Sequence, residues 1–244
     1  MPILGVLFDI DDTLIDHSTS EATGLLAHLR TEGLTERFSD HATALALWRD
    51  IMERQYNRFL DGEVTYAEQQ LERTREFLAH TMKSTPAAIS DQEATAWFAR
   101  YQTHRHAAQS AFPDAEQVLR KLAADYRLGV VSNSSTSRQR HKLDVFELLS
   151  YFGDRLICSN EHGAAKPTPS IFLAGCAMLG LTPAEVVYVG DKYEIDAVGA
   201  HDAGLHAFWL DRANNRTSTV IVTGIHVIGS LDELPDALTG PGFS

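Results

Sequence analysis

Ile3-Leu-Gly-Val-Leu-Phe8 runs without a polar side chain and stops at Asp9-Ile10-Asp11-Asp12-Thr13. An apolar run this short, ended abruptly by acids, reads as a strand buried on both faces. A strand of that kind predicts a parallel sheet with helices on each side. The acids then fall at its carboxyl end, where open parallel sheets place their ligands.

Outward from this stretch, the 244 residues suit one large domain or a domain with a sizeable insertion. With 44% hydrophobic and 22% charged residues the chain has the composition of a globular protein able to bury a core. The formal net charge of −12 argues against nucleic acid as a partner, because phosphate backbones are held by basic stripes. It leaves a small anionic substrate open, since one local cation can outweigh the global field. No apolar run approaches a membrane span, and the first residues show neither a basic leader nor a small-residue cleavage site. The expected location is the cytoplasm. Cys158 and Cys176 are expected to be buried free thiols. The Gly- and Pro-containing tail, residues 239–242, is expected to fray.

The pattern changes twice along the chain. From about residue 18 to 106 only helices are predicted. Ser18 with Glu21, Thr65 with Glu68 and Ser90 with Glu93 match the capping box. Helically spaced apolar residues follow them: Leu25 and Leu29; Leu47, Trp48, Ile51 and Phe59; Leu71, Phe77 and Leu78; Trp97, Phe98 and Tyr101. Such aromatic spacing reads as the core of a helix bundle. From Pro113 onward helices alternate with strands. The strands are predicted at 128–132, 155–159, 186–190, 206–210 and 225–228, and the helices at 114–126, 136–149, after Pro169, at 195–203 and at 231–238. This alternation means a doubly wound, mainly parallel sheet. The predicted organisation is an α/β core of residues 1–15 and 109–244, interrupted by a helical domain at 16–108.

The chemistry-bearing residues sit at strand ends. The first strand runs into Asp9, Asp11 and Thr13, and the second into Ser132-Asn133-Ser134-Ser135. The strand at 186–190 runs into Asp191, with Asp196 five residues on, and Lys166 precedes Pro167. Asp9, Asp11 and Asp191 would repel one another strongly if bare. A hard divalent cation relieves that repulsion, and an oxygen-rich set with little His or Cys suits Mg²⁺. An Asp9 oxygen could then attack, with Asp11 as general acid and base. Ser132 and nearby N–H groups could hold phosphoryl oxygens, and Lys166 could neutralise developing charge. Taken singly, each motif is an ordinary turn, cap or solvated lysine. His17, His104 and His106, near the two ends of the helical block, read as ordinary residues, and His104-Arg105-His106 lacks the further ligands a zinc site needs.

As a set, Asp9-x-Asp11-x-Thr13, Ser132-Asn133, Lys166-Pro167 and Gly190-Asp191-x-x-x-x-Asp196 closely resemble the haloacid dehalogenase-like hydrolase superfamily. The resemblance covers essentially the whole chain, the helical block looking like that superfamily's first-type cap on a Rossmann-like core. It implies that Asp9 is the nucleophile and Asp11 the general acid/base. Thr13 would steady the aspartate loop and belong to the substrate-binding set. Ser132 and Asn133 would bind phosphate, and Lys166 would bridge phosphoryl group and nucleophile. Asp191 would ligate Mg²⁺ with Asp9 and the Asp11 carbonyl, with Asp196 supporting from behind or through water.

The activity this implies is Mg²⁺-dependent hydrolysis of a small phosphorylated metabolite through an aspartyl phosphate. The dehalogenating branch typically lacks the second acid, which is present here as Asp11. The phosphonate-cleaving branch uses a cap lysine, and this chain has none before Lys83. A sugar-phosphate mutase shares the core motifs. A receiver-like phosphoacceptor has a similar residue set, but is about half this length and carries its phosphorylated Asp after the third strand.

Overall fold

A computed structural model describes residues 2–214 and 220–240. Residues 241–242 of the tail expected to fray lie outside them. The chain divides into two compact units, Met1–Asp16 with Ser110–Ser244, and His17–Gln109.

The first unit is built on a six-stranded parallel sheet of order β3-β2-β1-β4-β5-β6. Its strands are β1 (Gly5–Phe8), β2 (Arg127–Ser132), β3 (Leu156–Cys158), β4 (Val186–Gly190), β5 (His206–Leu210) and β6 (Ile225–Ile228). Alternate residues supply the two faces. Val6, Phe8, Val130, Val187, Val189 and Phe208 pack on one side, and Leu7, Val131, Val186, Tyr188, Ala207 and Trp209 on the other. Both sides are buried, which is why these strands are continuous apolar runs. The order reverses at β1, where β2 lies on one side and β4 on the other. This is the switch point at which doubly wound sheets open a crevice.

The second unit contains α1 (His17–Thr31), α2 (His41–Leu60), α3 (Tyr66–Met82) and α4 (Asp91–Ala107). Its core gathers Leu25, Leu29, Trp48, Ile51, Phe77, Leu78, Trp97 and Tyr101, with the Trp48 and Phe77 rings edge-on at 5.1 Å. Thr65 and Glu68 form the full capping box at the start of α3. At α4 only half forms, Ser90 accepting from the Glu93 N–H at 3.2 Å. The start expected at Ser18 lies one residue earlier. The helix already begins at His17, so Ser18 lies inside the first turn rather than before it.

The remaining helices are α5 (Ala115–Leu122), α6 (Thr136–Val145), α7 (Leu149–Phe152), α8 (Ser159–His162), α9 (Pro169–Leu179), α10 (Gly199–Asp202) and α11 (Leu234–Thr239). Among these, α8 has no counterpart in the sequence reading, α5 ends at Leu122 rather than 126, and two more differ in form. The helix expected over 136–149 breaks after Val145, where Glu147 takes a left-handed φ of 59°, and resumes as α7. The helix expected over 195–203 opens earlier, as a π turn at Tyr193–Val198. Cys158 and Cys176 are buried free thiols, and burial pushes each up to about 11.

Candidate active site

The β1 strand stops because the chain folds back on itself. The N–H groups of Leu14 and Ile15 both donate to the Ile10 carbonyl at 2.9 Å, and Asp12 adopts a left-handed φ of 61°. Aspartate tolerates that conformation better than most residues. Arg212 braces the loop. Its Nη2 donates to the Thr13 carbonyl at 2.9 Å, and Nη1 to Asp114 at 2.8 Å. Thr13 itself is fully buried, and its hydroxyl has no partner among the described residues.

Lys166 links two carboxylates. Its ammonium lies 2.9 Å from Asp9 Oδ1 and 2.6 Å from Asp196 Oδ1, and donates to the Tyr188 hydroxyl at 2.8 Å. The same hydroxyl lies 3.0 Å from Asp196 Oδ1 and 3.1 Å from the Val131 carbonyl oxygen. Burial opposes the lysine's charge, but Asp196 and Asp9 outweigh it and hold its pKa well above the ordinary value. Asp196 is placed by the π turn, its Oδ2 accepting from the Lys192 N–H at 2.9 Å. Gly190 makes room for it, since a Cβ on Gly190 would stand 2.4 Å from Asp196 Cγ.

Asp9, Asp191 and Asp196 form a carboxylate cluster, with one oxygen of each within 4.8 Å of the others. Burial, then repulsion from Asp196 and Asp11, pushes Asp9 up to about 6 even with Lys166 beside it. Burial, then Asp196 and Asp9, raises Asp191 well above the carboxylate range. Asp191 Oδ1 is enclosed with no hydrogen-bond partner among the described residues, while its main-chain carbonyl accepts from Trp209 Nε1 at 2.8 Å. An orphaned carboxylate oxygen beside a second crowded carboxylate fits a hard dication. Asp196 is spoken for by Lys166, Tyr188 and the Lys192 N–H.

At the end of β2, the Ser132 hydroxyl accepts from Gln139 Nε2 at 2.9 Å. The Asn133 side chain is taken up by the main chain of Lys166. Nδ2 donates to its carbonyl at 2.9 Å and Oδ1 accepts its N–H at 2.7 Å. The side chain expected to hold phosphate thus fixes the loop that carries the lysine.

Asp11 has two partners that the sequence reading missed. Lys142 forms an ion pair with its Oδ1, and Gln139 Nε2 donates to its Oδ2 at 3.0 Å. Both partners are buried on α6. Their three-residue spacing on a short helix behind the Ser132 strand was the available signal. Of the histidines near the helical block's ends, His17 and His106 both engage Arg105.

The model of the haloacid dehalogenase-like hydrolase family matches residues 3–204. The chain belongs to that family. It is similar to the N-acylneuraminate-9-phosphatase of Rattus norvegicus, with 25% identity over 97% of this chain and 94% of that protein. It is also similar to the phosphoglycolate phosphatase of Cereibacter sphaeroides strain ATCC 17029 / ATH 2.4.9, with 30% identity over 96% and 97% of the two chains. Among solved structures, the HAD-hydrolase YfnB of Bacillus subtilis, bound to magnesium, superposes with a TM-score of 0.82. At 20% identity over 98% of this chain and 100% of that one, this likeness speaks for the fold. Family and relatives together make this hydrolase a phosphoric monoester hydrolase. Among the described residues, no helix is long and apolar enough to cross a membrane.

Proposed function

We propose that the chain is a Mg²⁺-dependent phosphatase of small phosphorylated metabolites that works through an aspartyl phosphate on Asp9. The observation that carries this reading is the placement of Lys166 between Asp9 and Asp196 beside the orphaned oxygen of Asp191. Asp9, Asp191 and the main-chain carbonyl of Asp11 would hold the metal, with Asp196 fixing Lys166 from behind. Bound there, Mg²⁺ would neutralise the carboxylates and withdraw charge from the phosphoryl oxygens.

Lys166 orients Asp9 and offsets the charge that builds on the phosphoryl group. An Asp9 oxygen attacks phosphorus, the bond to the ester oxygen breaks, and Asp11 gives that oxygen a proton. Asp11 then takes a proton from the water that cleaves the acyl phosphate, releasing phosphate and restoring both acids. Ser132, anchored by Gln139, supplies a hydroxyl for the phosphoryl oxygens. Thr13, buried at the base of the Asp9 loop, keeps that loop in place. The helical unit, His17–Gln109, stands in the chain where the resemblance implies the first-type cap. A halide leaves without a proton, so an Asp11 with two dedicated partners suits ester cleavage better than dehalogenation.

The test uses the purified chain with Mg²⁺ and 4-nitrophenyl phosphate. Many turnovers per chain are expected, with phosphoprotein trapped by acid quench in the wild type and absent in Asp9→Asn. A single stoichiometric phosphorylation would point to a phosphoacceptor. Wild-type rates in an Asp9→Asn preparation free of deamidation would refute the nucleophile.

A further inference from the structure

Arg212 stands two residues beyond β5, and its guanidinium gathers segments that are far apart in the chain. Nη1 donates to Asp114 Oδ2 at 2.8 Å, while Nη2 donates to Asp114 Oδ1 and to the Thr13 carbonyl, both at 2.9 Å. The guanidinium carbon lies 3.8 Å from the Phe112 ring centroid. A planar fork bonded to both oxygens of a carboxylate and stacked on a ring keeps little freedom. Asp114 is in turn fixed from beyond β6, its Oδ2 accepting from the Ser230 hydroxyl at 2.8 Å and the Leu231 N–H at 3.0 Å. Burial opposes the carboxylate's charge, but Arg212, Ser230 and the Leu231 N–H outweigh it and hold its pKa below the ordinary value.

The other end of this clamp is the turn that carries the proposed chemistry. The peptide between Thr13 and Leu14 is held on both sides, its carbonyl by Arg212 and its N–H by the Ile10 carbonyl at 2.9 Å. One residue on, the Leu14 carbonyl accepts from the Phe112 N–H at 2.9 Å, which ties the turn to the segment that also carries Asp114. Asp9 and Asp11 belong to the same short stretch. A bond from a charged donor is roughly twice as strong as a neutral one. Removing Arg212 would strip that bond from Thr13 and leave Asp114 a buried carboxylate without its cation. The turn would then be free to shift, and a misplacement on the order of 1 Å can cost a reaction about 10²-fold.

We propose that Arg212 is a positioning residue of the phosphatase reaction, holding the Asp9–Thr13 turn through the Thr13 carbonyl while Asp114 holds Arg212. This rests on the phosphatase reading. Arg212 acts through the Thr13 main chain rather than on a reacting atom, so its loss should appear in kcat far more than in KM.

Steady-state kinetics of the purified chain with Mg²⁺ and 4-nitrophenyl phosphate, run beside urea denaturation, tests this. Arg212→Met should lose at least about tenfold in kcat, with KM changed by less than about threefold. Arg212→Lys, which keeps the charge but not the fork, should lie between. Gln117→Ala is the control. The Gln117 amide donates to Asp232 Oδ1 at 2.7 Å, a bond that joins the same two stretches as Asp114 does but involves neither Arg212 nor Thr13. Its removal should leave kcat unchanged. A folded Arg212→Met with the wild-type kcat, or an equal loss in Gln117→Ala, would make Arg212 a structural tie alone and overturn the proposal. Should Arg212→Met fail to fold, Arg212→Lys decides: a loss of at least about threefold in kcat is expected, and an unchanged kcat would refute the role. If the wild type itself turns over no phosphomonoester, the phosphatase reading falls instead.

Discussion

Lys142 and Asp11 stand 131 positions apart in the chain and form an ion pair, with Gln139 bonded to the other oxygen of the same carboxylate. Gln139 also reaches the Ser132 hydroxyl, so one amide ties the ends of β1 and β2 together. An acid that must deliver a proton in one direction profits from being held by two donors. Lys142→Met should therefore cost about 10–100-fold in kcat/KM for an alkyl phosphate, a part of the roughly 10²–10⁴-fold that general acid catalysis supplies. The loss should be far smaller for 4-nitrophenyl phosphate, whose phenolate leaves without help. A plot of log kcat/KM against leaving-group pKa should steepen in the variant. An unchanged slope would assign Lys142 to stability alone.

The crowded carboxylates lead to a prediction about the metal. Chelation should abolish phosphatase activity and Mg²⁺ should restore it. Asp191→Asn, which removes the charge at the orphaned oxygen, should weaken Mg²⁺ binding at least about tenfold by calorimetry, the scale on which lost ligation is felt. Full turnover in excess chelator, with no metal found by elemental analysis, would contradict the site.

Gly190 is needed for its missing side chain. With a Cβ only 2.4 Å from Asp196 Cγ, Gly190→Ala must push Asp196 away, and Lys166 with it. The expected cost is about 1–3 kcal/mol, as for an overpacked core, together with a lower kcat. Urea denaturation and steady-state kinetics read the two effects separately. A variant unchanged in both would mean that the π turn shifts freely.

His28 gives the helical unit a pH dependence. It is fully buried beside Trp97, their ring centroids 4.5 Å apart. Burial first, with His104 and Arg100 adding to it against Glu32, lowers its pKa from 6.5 to about 4. The folded chain then binds fewer protons than the unfolded one between these values. The stabilisation is complete above pH 6.5 and is lost as the pH falls towards 4, by about 3 kcal/mol in the limit. His28→Leu should flatten the fall in urea stability between pH 7 and pH 4.5. An equally steep fall in both proteins would remove His28 as its source.

The amino-acid sequence by itself determined the sheet and the positions of its acids. Runs such as Val186–Gly190 and His206–Leu210 are apolar on both faces, and the strands lie there. Asp9, Ser132 and Asp191 are legible because each follows such a run directly, a local pattern that needs no knowledge of the fold. Only the tertiary structure decided which partners these groups receive. Tyr188 sits inside the apolar run of β4 and reads as core, yet its hydroxyl bonds Lys166, 22 residues away. Lys142, Gln139 and Arg212 likewise meet Asp11, Ser132 and Thr13 only through the folded chain. Asn133 shows the same division. Its place after β2 was readable, but its amide is spent on the Lys166 main chain, 33 residues on. Strand burial is written in the spacing of neighbours, whereas a hydrogen bond between distant residues has no period in sequence and exists only once the sheet has brought its strand ends together.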